Sequence, residues 1–196
     1  MSRTGAVKRK TAETDINLVL SLDSNEQSVI NSSVPFFDHM LNSMSKHGRF
    51  HMNVKCNGDN QIDDHHSVED IGICLGKALK EALGDKAGIK RFGYASIPMD
   101  DALTSVTIDI SGRAFYRYAG SVLKGYIKSY SEELTAEFLR SFADNAEITI
   151  HVEQKYGSNR HHIHESIFKA VGIALRDACS IDNTLAGTIP STKGTI

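Results

Sequence analysis

Apolar and polar positions alternate over residues 12–22, with Ile16, Leu18, Leu20 and Leu22 on one face, and a period of two predicts a half-buried strand. Asp23-Ser24-Asn25 breaks the pattern, and residues 29–34 return as a second strand. Beyond Pro35 the period lengthens. Met40, Leu41, Met44 and His47 recur at helical spacing, with Asp38 in the opening turn. Met52, Val54 and Cys56 alternate as another strand, Asn57-Gly58-Asp59-Asn60 makes a turn, and a long amphipathic helix runs from Asp64 or His65 to Gly84. The order then recurs. Leu103, Val106, Ile108 and Ile110 mark a strand over 103–110, Ser111-Gly112 turns, and residues 114–118 pair back. A helix over 131–145 gathers Leu134, Phe138, Leu139 and Phe142 on one face. Ile148, Ile150 and Val152 form a strand, and Gly157-Ser158-Asn159 turns into a second long helix. Ile97-Pro98-Met99-Asp100-Asp101 reads as a turn, and Lys8-Arg9-Lys10 as a solvated terminus.

Each half, residues 1–92 and 93–196, thus runs strands, helix, strand, helix. The predicted class is α+β: an internally duplicated unit, each half a mixed or antiparallel sheet with two helices on one face. Identities support the duplication. Sliding the chain by 96 positions lays HHSVEDIGICLGKALKEAL on HHIHESIFKAVGIALRDAC, matching His, His and Glu as well as Ile71 with Ile167, Gly76 with Gly172, Ala78 with Ala174 and Leu79 with Leu175. With an offset of 98 the match extends upstream, where Met40-Leu41 meets Phe138-Leu139 and His39 falls on Glu137.

Composition narrows the function classes. The 196 residues carry a net charge of -2 and no basic block, which makes nucleic acid a poor partner. No run of about 18 apolar residues exists to span a membrane, and MSRTGAVKRK lacks the apolar stretch of a secretory signal. The 3 cysteines, Cys56, Cys74 and Cys179, are odd in number and widely spaced, so they read as reduced structural thiols of a cytoplasmic protein. Histidine is the excess: five of the 9 lie in the two HHxxE-type motifs.

On a helix, positions i and i+4 lie about 40° apart and adjacent positions about 100°. His65 and Glu69 can therefore share one ion, and so can His161 and Glu165, while His66 and His162 point elsewhere. The simplest closure is reciprocal: His65 and Glu69 with His162, His161 and Glu165 with His66, and His39 and Glu137 as an additional ligand on each ion. Imidazole with carboxylate and no thiolate suits Mn, Fe or Zn, and several protein ligands with room for substrate favour octahedral Mn²⁺. A single HHxxE is more often an exposed polar face; two copies in register within a repeat reverse that balance. His164 reads as a surface histidine. Asp63, Asp64 and Asp70 read as carboxylates serving the helix start, with Asp70 also a candidate support for the ligands. Arg91 and Arg113 are ordinary surface cations taken singly, whereas Pro190-Ser191-Thr192-Lys193-Gly194 groups a cation and hydroxyls as an anion clamp.

The segments FFDHMLNSMSKHG, DDHHSVEDIGICLGKAL, RFGYASIPMDDAL, DISGRAF, SNRHHIHESIFKA and PSTKG together resemble the imidazoleglycerol-phosphate dehydratase family over almost the whole chain. The resemblance implies a hydro-lyase that dehydrates D-erythro-imidazole glycerol phosphate to imidazole acetol phosphate in histidine biosynthesis. It also implies two Mn²⁺ per active site and self-association into a 24-subunit particle with metal sites between subunits. Carried over, it makes His39, His65, His66, Glu69, His161, His162 and Glu165 metal ligands; Glu137 stands where the family often has His. Substrate-binding positions fall on Glu13, His39, His47, His65, Glu69, Arg91, Arg113, Ser191, Thr192 and Lys193, with Glu13, His47 and Glu165 nearest the proton transfers. Ligand spacing alone also permits a dinuclear hydrolase acting on a phosphate ester, or a non-catalytic metal buffer, which leaves the arginines and the tail without a purpose.

Overall fold

The protein is described by a computed structural model over residues 3–24, 26–185 and 187–196; Asn25, part of the first expected turn, lies outside the described residues. Strands β1 (Thr4–Lys10), β2 (Thr14–Ser21), β3 (Val29–Asn31) and β4 (His51–Gly58) form one sheet in the order β1-β2-β4-β3. Strands β5 (Phe92–Met99), β6 (Ala102–Asp109), β7 (Phe115–Ala119) and β10 (Thr149–Tyr156) form a second in the order β5-β6-β10-β7. Each is antiparallel except for one parallel pair at its edge, β3 with β4 and β7 with β10. Helices α1 (Pro35–Gly48) and α2 (His65–Leu83) accompany the first sheet, α3 (Glu133–Ala146) and α4 (Arg160–Cys179) the second. The α+β duplication expected from the sequence is therefore present.

The strands missed in the two sheets are β1 and β5, one edge of each. β1 carries Lys8-Arg9-Lys10, which is no loose terminus: it pairs with β2 and its Arg9 reaches Asp70 on α2. β5 contains Ile97-Pro98-Met99, and the turn is confined to Asp100 and Asp101. Pro98 lacks a ladder donor, which an edge strand tolerates. In β6 the inward place next to Ala102 belongs to Thr104 rather than Leu103; its buried hydroxyl is 2.7 Å from that of Ser166 on α4. A small hairpin, β8 (Tyr126–Ile127) with β9 (Tyr130–Ser131), precedes α3 and buries Tyr130.

Helix ends repeat as well. Pro35 opens α1 at a position where its missing N–H costs nothing, and Asp38 accepts from Ser32 N at 2.7 Å. Arg49 and Glu147, equivalent under the offset of 98, close α1 and α3 in the left-handed region at φ 55. Asp70 is buried, paired with Arg9 and accepting from Thr14 Oγ1 at 2.5 Å. It fastens α2 to the first sheet, so neither a helix-start nor a ligand-supporting role fits it. Asp63 does serve the start of α2, accepting from His65 N at 2.8 Å.

The halves interlock through their helices. α2 packs on α3 and α1 on α4, so one cluster of buried side chains draws on both sheets and all four helices. Glycine makes the approach possible. A Cβ on Gly76 would lie 2.7 Å from Ala146 N and 2.8 Å from Phe142 O on α3, and one on its repeat partner Gly172 would collide with the Met44 carbonyl of α1. Alanine would gain about 1 kcal/mol of helix propensity at Gly76, but the neighbour is backbone and cannot rotate away. Gly76→Ala is therefore expected to lower stability by about 1–3 kcal/mol, read as a reduced urea midpoint; an unchanged or raised midpoint would show that the α2–α3 contact has room to spare.

Candidate metal centre

The cross-half contacts set up two groups of potential ligands. Where α1 meets α4, His39, His161 and Glu165 bring one ligand atom each within 4.8 Å of one another. His161 Nε2 lies 3.1 Å and His39 Nε2 3.6 Å from Glu165 Oε2. Where α2 meets α3, His65, Glu69 and Glu137 form the second group under the same limit, with His65 Nε2 3.8 Å from Glu69 Oε2. Bonds of about 2.1 Å to one ion put adjacent ligand atoms about 3 Å apart, so both groups need only small side-chain adjustments to close on a cation. Donor chemistry fits too: imidazole and carboxylate, no thiolate.

The i, i+4 pairing of each motif is as expected, and His39 and Glu137 join it. Within one chain the reciprocal closure does not occur. His66 and His162 lie in neither group, and their rings stand 6.2 and 6.3 Å from those of His65 and His161 in near-perpendicular planes. His66 Nδ1 instead lies 3.0 Å from Asp59 and its Nε2 3.7 Å from Glu13 at the β1–β2 turn. His162 Nδ1 lies 2.6 Å from Asp101 and its Nε2 3.6 Å from Asp100 at the β5–β6 turn. The two second histidines thus stand apart from both groups, each under a carboxylate-bearing hairpin tip.

Each three-residue group also carries a cation. Lys169 Nζ lies 2.8 Å from Glu165 Oε1, and Arg140 pairs with Glu137 and lies 3.6 Å from Glu69. Burial pushes the Glu165 carboxyl up, but Lys169, His161 and His39 outweigh it and hold the group below the usual carboxylate range. Asp101 is held well below that range by the backbone N–H groups of Asn159 and Ser158 and by His162. His47, at the end of α1, titrates below the ordinary imidazole value because of partial burial and nearby Lys169. A groove of about 710 Å³ beside His39 and His47 is also lined by Asn42, Lys46 and Arg49. Sequence reasoning passed over Lys169 and Arg140, although their i+4 and i+3 spacing from Glu165 and Glu137 is a usable signal. Asp59 and Asp101 sit in turns, where no periodicity marks them.

The anion-clamp candidates gather elsewhere. Arg91 grips Asp109 through Nε at 2.7 Å and Nη2 at 3.2 Å, and its Nη1 donates to Pro190 O at 2.9 Å, which draws the tail to it. Ser191 Oγ accepts from Lys193 N at 3.2 Å, Thr192 and Lys193 are exposed, and Arg113 Nη1 donates to Ser111 O at 3.3 Å. Arg91 N bonds Ala178 O near the C-terminus of α4, whereas His161 is at its N-terminus. At 1.5 Å per residue that separation is about 26 Å. One small substrate cannot touch both places on a single chain.

His164 is no surface residue. It is 0% exposed, with Nδ1 2.8 Å from Thr135 Oγ1, which is itself 2.9 Å from Tyr130 OH. Burial, with the positive neighbours His161 and Arg160, pushes it down to about 4. The three cysteines are free and buried, in keeping with structural thiols.

A duplicated α+β chain with paired His–carboxylate groups at its cross-half helix contacts is the class that fold and geometry define. A family model described as imidazoleglycerol-phosphate dehydratase matches residues 32–175. The imidazoleglycerol-phosphate dehydratase of Leptospira biflexa serovar Patoc is 50% identical over 194 residues, covering 99% of this chain and 98% of its own, and that of Oceanobacillus iheyensis is 47% identical, covering 99% and 100%. The crystal structure of the Staphylococcus aureus enzyme superposes with a TM-score of 0.83 at 36% identity, covering 91% of this chain and 99% of that one. The Pyrococcus furiosus enzyme in complex with (S)-C348 gives 0.83 at 35% identity, covering 97% and 100%. The chain belongs to the imidazoleglycerol-phosphate dehydratase family, whose members are hydro-lyases.

Because an unfolded imidazole titrates near 6.5 and His164 near 4, the folded state resists a proton that the unfolded state accepts. The corresponding stability is complete above pH 6.5 and is lost as pH falls from 6.5 towards 4, about 3 kcal/mol in all. In His164→Leu, where Thr135 keeps its Tyr130 partner, the decline of the urea midpoint over that window should be shallower than in the parent; equal slopes would place the acid sensitivity elsewhere.

Proposed function

We propose that the protein dehydrates D-erythro-imidazole glycerol phosphate to imidazole acetol phosphate, a step of histidine biosynthesis in the cytoplasm, at a site holding two Mn²⁺. Two three-ligand groups, His39/His161/Glu165 and His65/Glu69/Glu137, in a chain of this family carry the reading. His66 and His162, which lie outside both groups, complete the ligand sets of other copies. When bound, the pair of ions supplies Lewis acidity and a template for the substrate imidazole. The chain's own groups do the rest. A carboxylate, Glu13 or Glu165, takes the carbon-bound proton, and His47 acts at the hydroxyl that leaves. Arg91, Arg113, Ser191, Thr192 and Lys193 hold the phosphate, and this remote binding energy fixes the reacting end in place.

Assembly follows from geometry. With the His161 group and the anion clamp about 26 Å apart along α4, and His66 and His162 outside both groups, a working site needs more than one copy. A closed particle of 24 copies, as the family resemblance implies, would supply it.

Reconstituted with Mn²⁺, the protein should convert imidazole glycerol phosphate to the ketone with its phosphate retained; release of inorganic phosphate would instead identify a hydrolase, and no turnover with metal bound would end the proposal. Chelation should lower the particle mass in light scattering, whereas an unchanged mass would confine the metal sites to single chains or to a non-structural part.

A further inference from the structure

The two histidines outside the ligand groups share an arrangement that the duplication does not explain. Each presents Nδ1 to an aspartate and leaves Nε2 towards an exposed hairpin-tip carboxylate. The hairpin tips are repeat equivalents, lying between β1 and β2 and between β5 and β6. The aspartates are not: Asp59 follows β4, whereas Asp101 lies between β5 and β6. Two unrelated positions supply the same partner to the same ring nitrogen.

We propose that Asp59 and Asp101 are positioning residues that fix the tautomers of His66 and His162, keeping Nδ1 protonated and the Nε2 lone pair free for a metal ion. This rests on the two-metal reading above and adds residues to it. A carboxylate can only accept, so the nitrogen facing it must donate, and the neutral ring's other nitrogen is then the ligand. Asp101 has little freedom to do otherwise. Its Oδ2 accepts from Ser158 N at 2.7 Å, Ser158 Oγ at 2.8 Å and Asn159 N at 2.9 Å, leaving Oδ1 for His162. Asn159 in turn caps α4, accepting from His162 N at 3.3 Å. Ring and carboxylate are thus held by the same turn. Asp59 is held through its backbone, Asp59 N donating to Glu13 O at 3.1 Å, and both its side-chain oxygens face His66 Nδ1, at 3.0 and 3.1 Å.

The difference in anchoring makes the proposal testable. In Asp101→Asn the amide oxygen satisfies Ser158 and Asn159, so the NH₂ faces His162 and donates to Nδ1. The proton then sits on Nε2, the wrong tautomer for a ligand, as when an orienting Asp becomes Asn in a catalytic triad. In Asp101→Ala the ring is free to present either nitrogen. Mn²⁺ affinity, measured by calorimetric titration of the assembled protein, is therefore expected to fall on the order of 10- to 100-fold in Asp101→Asn and less in Asp101→Ala. If Asp101 merely braced the turn, the order would reverse, because Asn keeps the brace and Ala loses it. At position 59 the amide is free to turn its oxygen to His66, so Asp59→Ala should weaken binding more than Asp59→Asn. Parent-like affinity in Asp101→Asn, or weaker binding by Asp101→Ala, overturns the proposal, and urea midpoints of the metal-free variants check that folding is intact. His66→Ala and His162→Ala run alongside separate the two levels. Full metal retention in both removes these histidines from the metal reading and the proposal with it; loss in both, with Asp101→Asn unaffected, removes the tautomer role alone.

Discussion

The close approach of helices from opposite halves is the contact on which the rest of this molecule depends. Gly72 and Gly76 let α2 settle on the backbone of α3, and Gly172 lets α4 settle on α1. A mid-helix glycine costs about 1 kcal/mol of propensity, and here that cost is offset by packing in a core shared between the halves. The same contacts bring His39 to His161 and Glu165, and Glu137 to His65 and Glu69. Chemistry and stability therefore use one interface, and a change that parts the helices would also pull the ligands apart.

Electrostatics also shapes those groups. Each group sets a cation beside its carboxylate charge: Lys169 beside the lone Glu165, and Arg140 between Glu137 and Glu69, whose like charges would otherwise repel. His66 and His162 are treated differently. They are tied to carboxylates of the turns rather than of the helices, so they stay clear of the ligand groups of their own chain. A buried polar chain, Tyr130–Thr135–His164, lies directly beneath; Phe36 bridges it to the His161 ring, with centroids 5.4 Å apart.

Duplication has left the halves unequal where function differs. Arg49 and Glu147 close equivalent helices in the same left-handed conformation, yet His39 answers to Glu137 as a potential ligand. The β8–β9 hairpin belongs to the second half, and Arg91, the last-but-one residue of the first half, reaches across to grip Asp109 and the Pro190 carbonyl of the second.

Much of this was written in residue order. Period-two and period-3.6 patterns fixed the inner strands and all four helices, because those elements bury one face and expose the other. The i, i+4 spacing fixed which histidine and carboxylate share a side of α2 and α4, since helix geometry permits no alternative. Of the edge strands β3 and β7 were anticipated, whereas β1 escaped because it is rich in charge and β5 because it contains Pro98. Buried polar residues escaped too: His164 and Asp70 look like surface groups until Thr135, Arg9 and Thr14 arrive from distant segments to satisfy them. Only tertiary structure decided that His39 and Glu137, rather than His66 and His162, complete the groups within a chain. It also placed Arg91 and the tail at the far end of α4. Those outcomes depend on how helices from different halves cross, and local sequence carries no record of a crossing.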